Sequence, residues 1–128
     1  MRTTIQTVPN GPRAAGPYSL GVIAEGKFVF VAGQGPFNPE TGKMERGTIG
    51  EQTERVLKNI QSILHAAGAK MEDVVSCRVF LQPMDQHTFD QMNQVYKKFW
   101  PSEPPARTTL GCQLLNMDVE IDCIAVLK

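Results

Sequence analysis

The sequence predicts an α+β fold in which two helices pack on one face of a mixed six-stranded sheet. Two stretches, residues 48–67 and 85–100, carry apolar side chains at the spacing of an amphipathic helix. Six shorter runs are rich in β-branched and aromatic residues and are bounded by turn-forming residues or by the helices. Because the chain has 128 residues and no repeat or linker, we expect a single domain over residues 1–128.

Three strands are expected before the first helix, over residues 3–8, 20–24 and 27–32. Glu25 and Gly26, between the second and third strands, are typical of a tight hairpin. Both faces of residues 28–31 are apolar, which indicates a central strand that is covered on both sides. Residues 14–19 contain too many helix breakers to be helical, and we expect a loop that carries Tyr18 outward.

The ends of both helices are marked in the sequence. Thr48 and Glu51 have the spacing of a capping box, and Gly68 supplies a left-handed stop. The second helix is expected to begin after the N-cap Asp85 and to end before Pro101. Its apolar stripe is assigned to core packing, and consists of Phe89, Met92, Tyr96, Phe99 and Trp100. The remaining strands are expected at residues 74–81, 106–114 and 119–127.

Charge and composition argue against several classes of function. Thirteen basic and thirteen acidic residues cancel, so binding to nucleic acid or to an anionic membrane is not expected. Cys77, Cys112 and Cys123 are odd in number and lack metal-ligand spacing, which indicates core residues in a reducing compartment. Since the N-terminus has no signal-peptide pattern and no run of 18 apolar residues occurs, we expect a soluble, cytoplasmic protein.

The candidate functional residues lie on the last two strands. With a period of two, Arg107 and Thr109 share one face of a strand, and Glu120 and Asp122 share one face of the next. A guanidinium on an otherwise apolar strand needs a carboxylate partner or a ligand, because an unpaired buried charge is costly. The residues alone leave two readings open: a strand-to-strand ion pair, or a site in which Arg107 binds the carboxylate of a small molecule beside a proton-handling acid.

Eight short segments occur in order along nearly the whole chain: Gly16-Pro17-Tyr18-Ser19, Gly33-Gln34, Gln52-Thr53 with Asn59, Ala67-Gly68, Asp73-Val74-Val75, Asn93-Gln94-Val95-Tyr96, Pro105-Ala106-Arg107 and Glu120-Ile121-Asp122-Cys123-Ile124-Ala125. In this combination the sequence resembles the RidA/YjgF family of enamine/imine deaminases, also described as L-PSP-like translation inhibitors. The resemblance implies a chorismate-mutase-like fold, a homotrimer, and three sites in the clefts between neighbouring subunits.

The resemblance also implies which residues form the site. Arg107 would bind the carboxylate of a 2-imino or 2-enamino acid through two parallel hydrogen bonds. The backbone N–H of Thr109, on the same strand face, would be a further donor. Three other residues would line the cleft: Tyr18, Gly33 and Asn93.

Three positions depart from the family's pattern. Ala32 replaces a serine and removes one hydroxyl, and Thr109 replaces a cysteine, which matters little if only its backbone is used. Asp122 replaces the second glutamate of Glu-Ile-Glu, the candidate for handling the catalytic water, and is one methylene shorter. A misplacement of about 1 Å can cost on the order of a hundredfold in rate. Glu120 matches the family's non-catalytic carboxylate and serves only as a fallback.

The leading hypothesis is hydrolysis of 2-iminobutanoate- or 2-iminopropanoate-type acids to 2-keto acids and ammonia, with Arg107 and Asp122 as the catalytic residues. It requires no metal or organic cofactor, because a protonated imine is already an electrophile. The alternative is a non-catalytic, keto-acid-binding trimer that acts on a protein partner. Ribonuclease activity or translation inhibition, a third activity attached to relatives, is disfavoured by the zero net charge.

Overall fold

The computed structural model describes residues 2–128 and confirms the predicted two helices and six strands. The helices are α1 (Ile49–Ala66) and α2 (Gln86–Phe99). The strands are β1 (Arg2–Ile5), β2 (Gly21–Ala24), β3 (Lys27–Gln34), β4 (Val74–Leu81), β5 (Ala106–Gly111) and β6 (Val119–Leu127). α1 therefore connects β3 to β4, and α2 connects β4 to β5.

Four of the strands form a mixed sheet in the order β3-β6-β4-β5. β6 is antiparallel to β3 and β4, whereas β4 and β5 are parallel, because the crossover through α2 returns the chain to the same end of the sheet. β1 and β2 form an antiparallel ribbon. Ser19, just before β2, bridges to Ala106 and its N–H donates to the Pro105 carbonyl at 3.1 Å, so the ribbon continues the sheet beyond β5.

The prediction that β3 is central and covered on both faces is wrong. β3 is an edge strand of the four-stranded sheet, and the helices cover only the face that carries Val29 and Val31. On the other face Phe28 and Phe30 are 57% and 74% exposed. Two aromatic side chains on an edge strand with this much exposure are typical of a surface that meets another protein chain. We refer to this uncovered side of the sheet as the open face.

The core lies between the helices and the opposite side of the sheet. α1 buries an apolar stripe that includes Val56, Leu57, Ile60 and Leu64, each fully buried. The strands meet it with alternate residues of β4 and β6, among them Cys77, Val79, Leu81, Ile121 and Cys123. Each fully buried aliphatic side chain contributes roughly 1.5–3 kcal/mol, so this layer rather than helix propensity holds the fold together.

Both predicted ends of α1 are confirmed. The Thr48 hydroxyl accepts a hydrogen bond from the Glu51 N–H at 3.1 Å, and the Glu51 carboxylate accepts one from the Thr48 N–H at 2.8 Å. Gly68 has φ +80°, in the left-handed region that favours glycine. The N-cap of α2 is likewise confirmed, because the Asp85 carboxylate accepts from the Thr88 N–H at 2.8 Å.

The predicted extension of β5 to residue 114 is wrong, because side chains take over the hydrogen bonds of the following loop. The Leu114 N–H donates to the Gln82 side chain at 2.9 Å instead of to a strand. The fully buried Gln52 side chain accepts from the Asp118 N–H at 2.9 Å and donates to the Asp118 carboxylate at 2.9 Å. The loop between β5 and β6 is thus fixed to the N-terminal turn of α1.

The cysteines are only partly as expected. Cys77 and Cys123 are buried and lie directly opposite each other on β4 and β6, whereas Cys112 is exposed just after β5. Burial raises the pKa of Cys77 to about 12, so this thiol stays protonated and unreactive at neutral pH. Across residues 2–128, neither helix has the length and hydropathy needed to cross a bilayer.

Candidate active site

Arg107 points from β5 toward the helices, not toward the open face. Its partner in the parallel register is the buried Cys77, whose side chain belongs to the core layer. Three aromatic rings surround the guanidinium: the distances from its central carbon to the ring centroids are 4.8 Å for Tyr96, 5.3 Å for Tyr18 and 5.8 Å for Phe89. Electron-rich ring faces attract a cation, but they do not neutralise its charge.

Arg107 is held by a neutral partner. Its Nη1 donates to the Asn93 side-chain oxygen at 2.8 Å, and the Met92 sulfur lies 3.8 Å from the same nitrogen. No Asp or Glu within the described chain forms an ion pair with it. Burial lowers the pKa of Arg107, because no nearby carboxylate compensates for the loss of water around the charge. The guanidinium is therefore charged, preorganised and without an anionic partner.

Some buried polar side-chain atoms on the helix-covered side of the sheet, including one of Arg107 itself, lack a hydrogen-bond partner. Within residues 2–128, four buried side-chain polar atoms lack a hydrogen-bond partner. Two of them, Arg107 Nε and Thr109 Oγ1, are on β5, and a third, Arg55 Nε, is on α1. The fourth, the Tyr96 hydroxyl, has only the weakly hydrogen-bonding thiol of Cys77 beside it. Buried polar atoms are almost always partnered in folded proteins, so a cluster of exceptions indicates a place where a ligand supplies the missing partners.

The loop before β2 brings Tyr18 to this cluster, which corrects the expectation that the loop carries it outward. The Tyr18 hydroxyl accepts a hydrogen bond from the Ala15 N–H at 2.9 Å, and the ring turns inward over Arg107. The Ser19 hydroxyl donates to the Pro104 carbonyl, which attaches the loop to the start of β5. Tyr18 is accordingly half-buried.

Asp122 lies on the other side of the sheet. It pairs in register with Arg78 of β4, whose side chain points away from that of its neighbour Cys77. The Arg78 Nε donates to both Asp122 carboxylate oxygens at 3.0 and 3.1 Å, and its Nη2 donates to one of them at 2.5 Å. This hydrogen bonding raises the pKa of Arg78. Within one chain, Asp122 and Arg107 are therefore separated by the sheet.

Gly33 and Glu120 lie beside Asp122 rather than beside Arg107. A Cβ placed on Gly33 would come within 2.3 Å of a Glu120 carboxylate oxygen, so a larger residue here would require the Glu120 side chain to move. A shallow depression of about 480 Å³ opens here and is lined by Phe30, Ala32, Gly33, Ser76, Arg78 and Asp122 among others. The candidate residues thus form two groups, an arginine group (Arg107, Thr109, Tyr18 and Asn93) and an acidic group (Asp122, Glu120 and Gly33).

Comparison with known proteins shows the family. The family model for endoribonuclease L-PSP matches residues 8–127. This chain belongs to the endoribonuclease L-PSP family, also known as RutC, YjgF or RidA.

Relatives in this family carry different names. A RutC family protein of Pyrococcus abyssi is 44% identical over 115 residues, which are 90% of this chain and 88% of the relative. A 2-iminobutanoate/2-iminopropanoate deaminase of Dermatophagoides farinae is 36% identical over 97% of this chain and 96% of its own. The solved structure of YyfB, a Rid-family protein of unknown function from Yersinia pestis, superposes with a TM-score of 0.85 at 26% identity, covering 98% of both chains.

In this RidA-type chain the strand-to-strand ion pair considered for Arg107 does not form. An ion pair between strands does exist, but it joins Asp122 to Arg78, a residue that the sequence analysis did not single out. Phe89 and Tyr96 were assigned to packing alone, yet their rings also contact the guanidinium. Their spacing relative to Asn93 was the available signal, because residues 89, 93 and 96 share one face of α2.

Gly16 provides a test of how closely the arginine group is packed. A Cβ at this position would lie 3.0 Å from Arg107 Nη2 and 3.5 Å from the Asn93 side chain. We expect Gly16→Ala to shift the guanidinium and to weaken 2-keto-acid binding roughly tenfold, without a loss of thermal stability beyond a few degrees. Gly21→Ala is the matched control, since its added Cβ meets only Ile5 at an ordinary 3.6 Å. Equal affinities in calorimetric titrations of the two variants would contradict this expectation.

Proposed function

We propose that this protein is an enamine/imine deaminase that hydrolyses 2-imino acids of the 2-iminobutanoate and 2-iminopropanoate type, and their enamine tautomers, to 2-keto acids and ammonia. The observation that carries the proposal is the unpaired, aromatic-lined guanidinium of Arg107. The names of relatives support it: the Dermatophagoides relative is a 2-iminobutanoate/2-iminopropanoate deaminase, and an Arabidopsis thaliana relative, 37% identical, is a reactive intermediate deaminase.

Arg107 acts as the carboxylate-binding group. Asn93 occupies one terminal nitrogen, which fixes the plane of the guanidinium before a ligand arrives. The remaining N–H groups bind the carboxylate of the substrate, and the N–H of Thr109 adds a donor on the same side of β5. A bound anion compensates the buried charge, so binding energy is gained without a rearrangement of the arginine.

The acid is contributed by a neighbouring subunit. Because the sheet separates Asp122 from Arg107 in one chain, the two can act on one substrate only if the open face of one subunit approaches the arginine group of another. The exposed Phe28 and Phe30 supply the apolar surface for such contact. We propose a homotrimer with three equivalent sites, in which every subunit gives its Arg107 to one cleft and its Asp122 to the next.

Hydrolysis of the protonated imine then follows from three proton transfers. Asp122 accepts a proton from a water molecule as the water oxygen bonds to the imine carbon, forming a tetrahedral amino alcohol. The same carboxyl group returns this proton to the nitrogen, and as the C–N bond breaks it takes the proton of the new hydroxyl group, so that the keto C=O forms. That last proton leaves with the ammonia as ammonium. One water is consumed for each ammonia released, and no change of oxidation state occurs.

A second candidate function is favoured by one observation. The Asp122 carboxylate is engaged by Arg78 through three hydrogen bonds, so both of its oxygens are already oriented toward the guanidinium and not toward a water molecule. If this pair persists in the assembled site, the same cleft binds 2-keto acids without turning over imines, and the protein is a metabolite-binding regulator of a protein partner.

Turnover of freshly generated imino acid distinguishes the two functions. We expect release of 2-keto acid and ammonia in equal amounts, well above the rate of spontaneous hydrolysis. Saturable 2-keto-acid binding without turnover would identify the regulator. The absence of both would overturn the carboxylate site itself.

The trimer has its own test at the open face. Phe30→Glu places a charge on the most exposed aromatic residue of β3, so we expect monomers by light scattering and loss of turnover, because Asp122 no longer reaches a neighbour's Arg107. Ile63→Glu, at an exposed apolar position of α1 on the helix side, serves as the control and should leave the assembly intact. A monomeric wild type at micromolar concentration, or full turnover by monomeric Phe30→Glu, would contradict the shared site.

A further inference from the structure

The loop between β1 and β2 contains a motif that the proposed function does not use. Pro9-Asn10-Gly11-Pro12 lies in this loop, and every residue from 6 to 13 is exposed. Within the described chain, residues 7–13 form no hydrogen bond or ion pair. The side-chain amide of Asn10 and the backbone N–H of Gly11 are therefore both open to water and are not held by the fold.

Asn10 differs from the other four asparagines of the sequence. Asn59 and Asn93 lie in helices and form hydrogen bonds through their side-chain amides. The Asn38 side chain accepts hydrogen bonds from two backbone N–H groups and precedes a proline, which has no N–H. Asn116 is the nearest match to Asn10, because it is exposed and has φ +61° against +59°, but methionine follows it instead of glycine.

An exposed asparagine followed by glycine allows the backbone to attack the side chain. Glycine has no Cβ to obstruct the approach, and its backbone has the greatest conformational freedom of any residue. The Gly11 nitrogen bonds to the side-chain carbonyl carbon of Asn10, and the bond from that carbon to the amide nitrogen breaks. Ammonia leaves with the proton of the Gly11 N–H, and a five-membered succinimide ring remains.

We propose that Asn10 is a modification site, at which the folded protein spontaneously deamidates to aspartate and isoaspartate. Water opens the succinimide at either of its two carbonyl carbons. Opening at the side-chain carbonyl gives aspartate, and opening at the backbone carbonyl gives isoaspartate, in which the main chain runs through the former side chain. Each event consumes one water, releases one ammonia and adds one negative charge to a chain whose formal net charge is zero.

Ageing of the purified wild-type protein in mildly alkaline buffer tests the proposal. Trypsin cleaves after Arg13 and Arg107, so peptides 3–13 and 108–128 report separately on Asn10 and Asn116. We expect peptide 3–13 to gain about 1 Da and to become a substrate for protein isoaspartyl methyltransferase. This change should be roughly tenfold or more faster than any at Asn116, because only Asn10 precedes glycine. Its rate should increase with pH, since the attacking nitrogen must lose its proton.

Asn10→Gln is the matched variant, because glutamine keeps the amide but would have to close a six-membered ring. It should leave peptide 3–13 unmodified over the same period. A synthetic peptide of residues 3–13 gives the rate without the fold, and the folded protein should react at nearly that rate. Fast modification of the synthetic peptide, with equally slow rates at Asn10 and Asn116 in the folded protein, would show that the fold protects the loop and would overturn the proposal. None of these measurements depends on catalytic activity.

Discussion

Arg107→Met is expected to abolish both 2-keto-acid binding and imine hydrolysis while leaving the protein at least as stable as the wild type. Two charge-assisted hydrogen bonds to the ligand are lost, which predicts a decrease in affinity on the order of a hundredfold or more. The folded protein, however, loses a half-buried cation that has no carboxylate partner. Since burial disfavours the charged guanidinium, as its lowered pKa indicates, methionine among Tyr18, Phe89 and Tyr96 is well accommodated.

The opposite changes in binding and stability separate a functional arginine from a structural one. An arginine that held the fold together would lower the melting temperature when replaced, and its loss would reduce activity only through unfolding. The 2-keto-acid affinity of Arg107→Lys should lie between those of the wild type and Arg107→Met, because lysine keeps the positive charge but cannot donate two parallel hydrogen bonds. Arg13→Met, at an exposed arginine, controls for the change in net charge. Unchanged turnover in Arg107→Met would rule out Arg107 as the carboxylate-binding group.

Asp122→Asn is expected to reduce kcat by about a hundredfold to ten-thousandfold, the range over which general acid–base catalysis acts, while 2-keto-acid binding is retained. The amide cannot accept the proton of the attacking water. The affinity for the product should change little, because in the proposed site Arg107 and Thr109 bind its carboxylate from another chain. Steady-state kinetics combined with calorimetry measure the two effects separately.

The ion pair between Arg78 and Asp122 allows two limits on the Asp122 carboxylate, its reach and its hydrogen bonding, to be tested separately. Asp122→Glu extends the carboxylate by one methylene, and Arg78→Met frees the existing one from its three hydrogen bonds. If the short side chain of Asp122 limits the rate, Asp122→Glu should increase kcat. If the hydrogen bonds from Arg78 limit the rate, Arg78→Met should increase kcat instead. An Asp122→Asn variant with wild-type kcat would remove this residue from the mechanism and direct attention to Glu120.

Much of the fold follows from local sequence. Thr48, Glu51 and Gly68 specify the ends of α1, because helix capping and left-handed helix stops depend only on neighbouring residues. The position of β3 at the edge of the sheet could not be predicted from local sequence. Apolar residues on both of its faces are compatible with a buried strand and with an edge strand that another chain covers, and the choice depends on sheet order and assembly.

For the candidate site residues, the sequence predicts which of them share a strand face but not how the strands bring them together. The period of two places Arg107 and Thr109 on one face of β5, and the structure agrees. It cannot relate β5 to β6, because β4 lies between them and the faces are fixed by register across three strands. The pairing of Asp122 with Arg78 joins residues that are distant in sequence. The helical spacing groups Phe89 and Tyr96 with Asn93, but it does not show that this face of α2 packs against Arg107.

A crystal structure with bound 2-ketobutanoate tests the central claim most directly. We predict a trimer in which the ligand carboxylate lies about 2.7–3.2 Å from nitrogen atoms of the Arg107 guanidinium, in a cleft that also contains Asp122 of a neighbouring subunit. An Arg107 that instead forms an ion pair with a carboxylate of the adjoining subunit, with the keto acid bound elsewhere or absent, would contradict it.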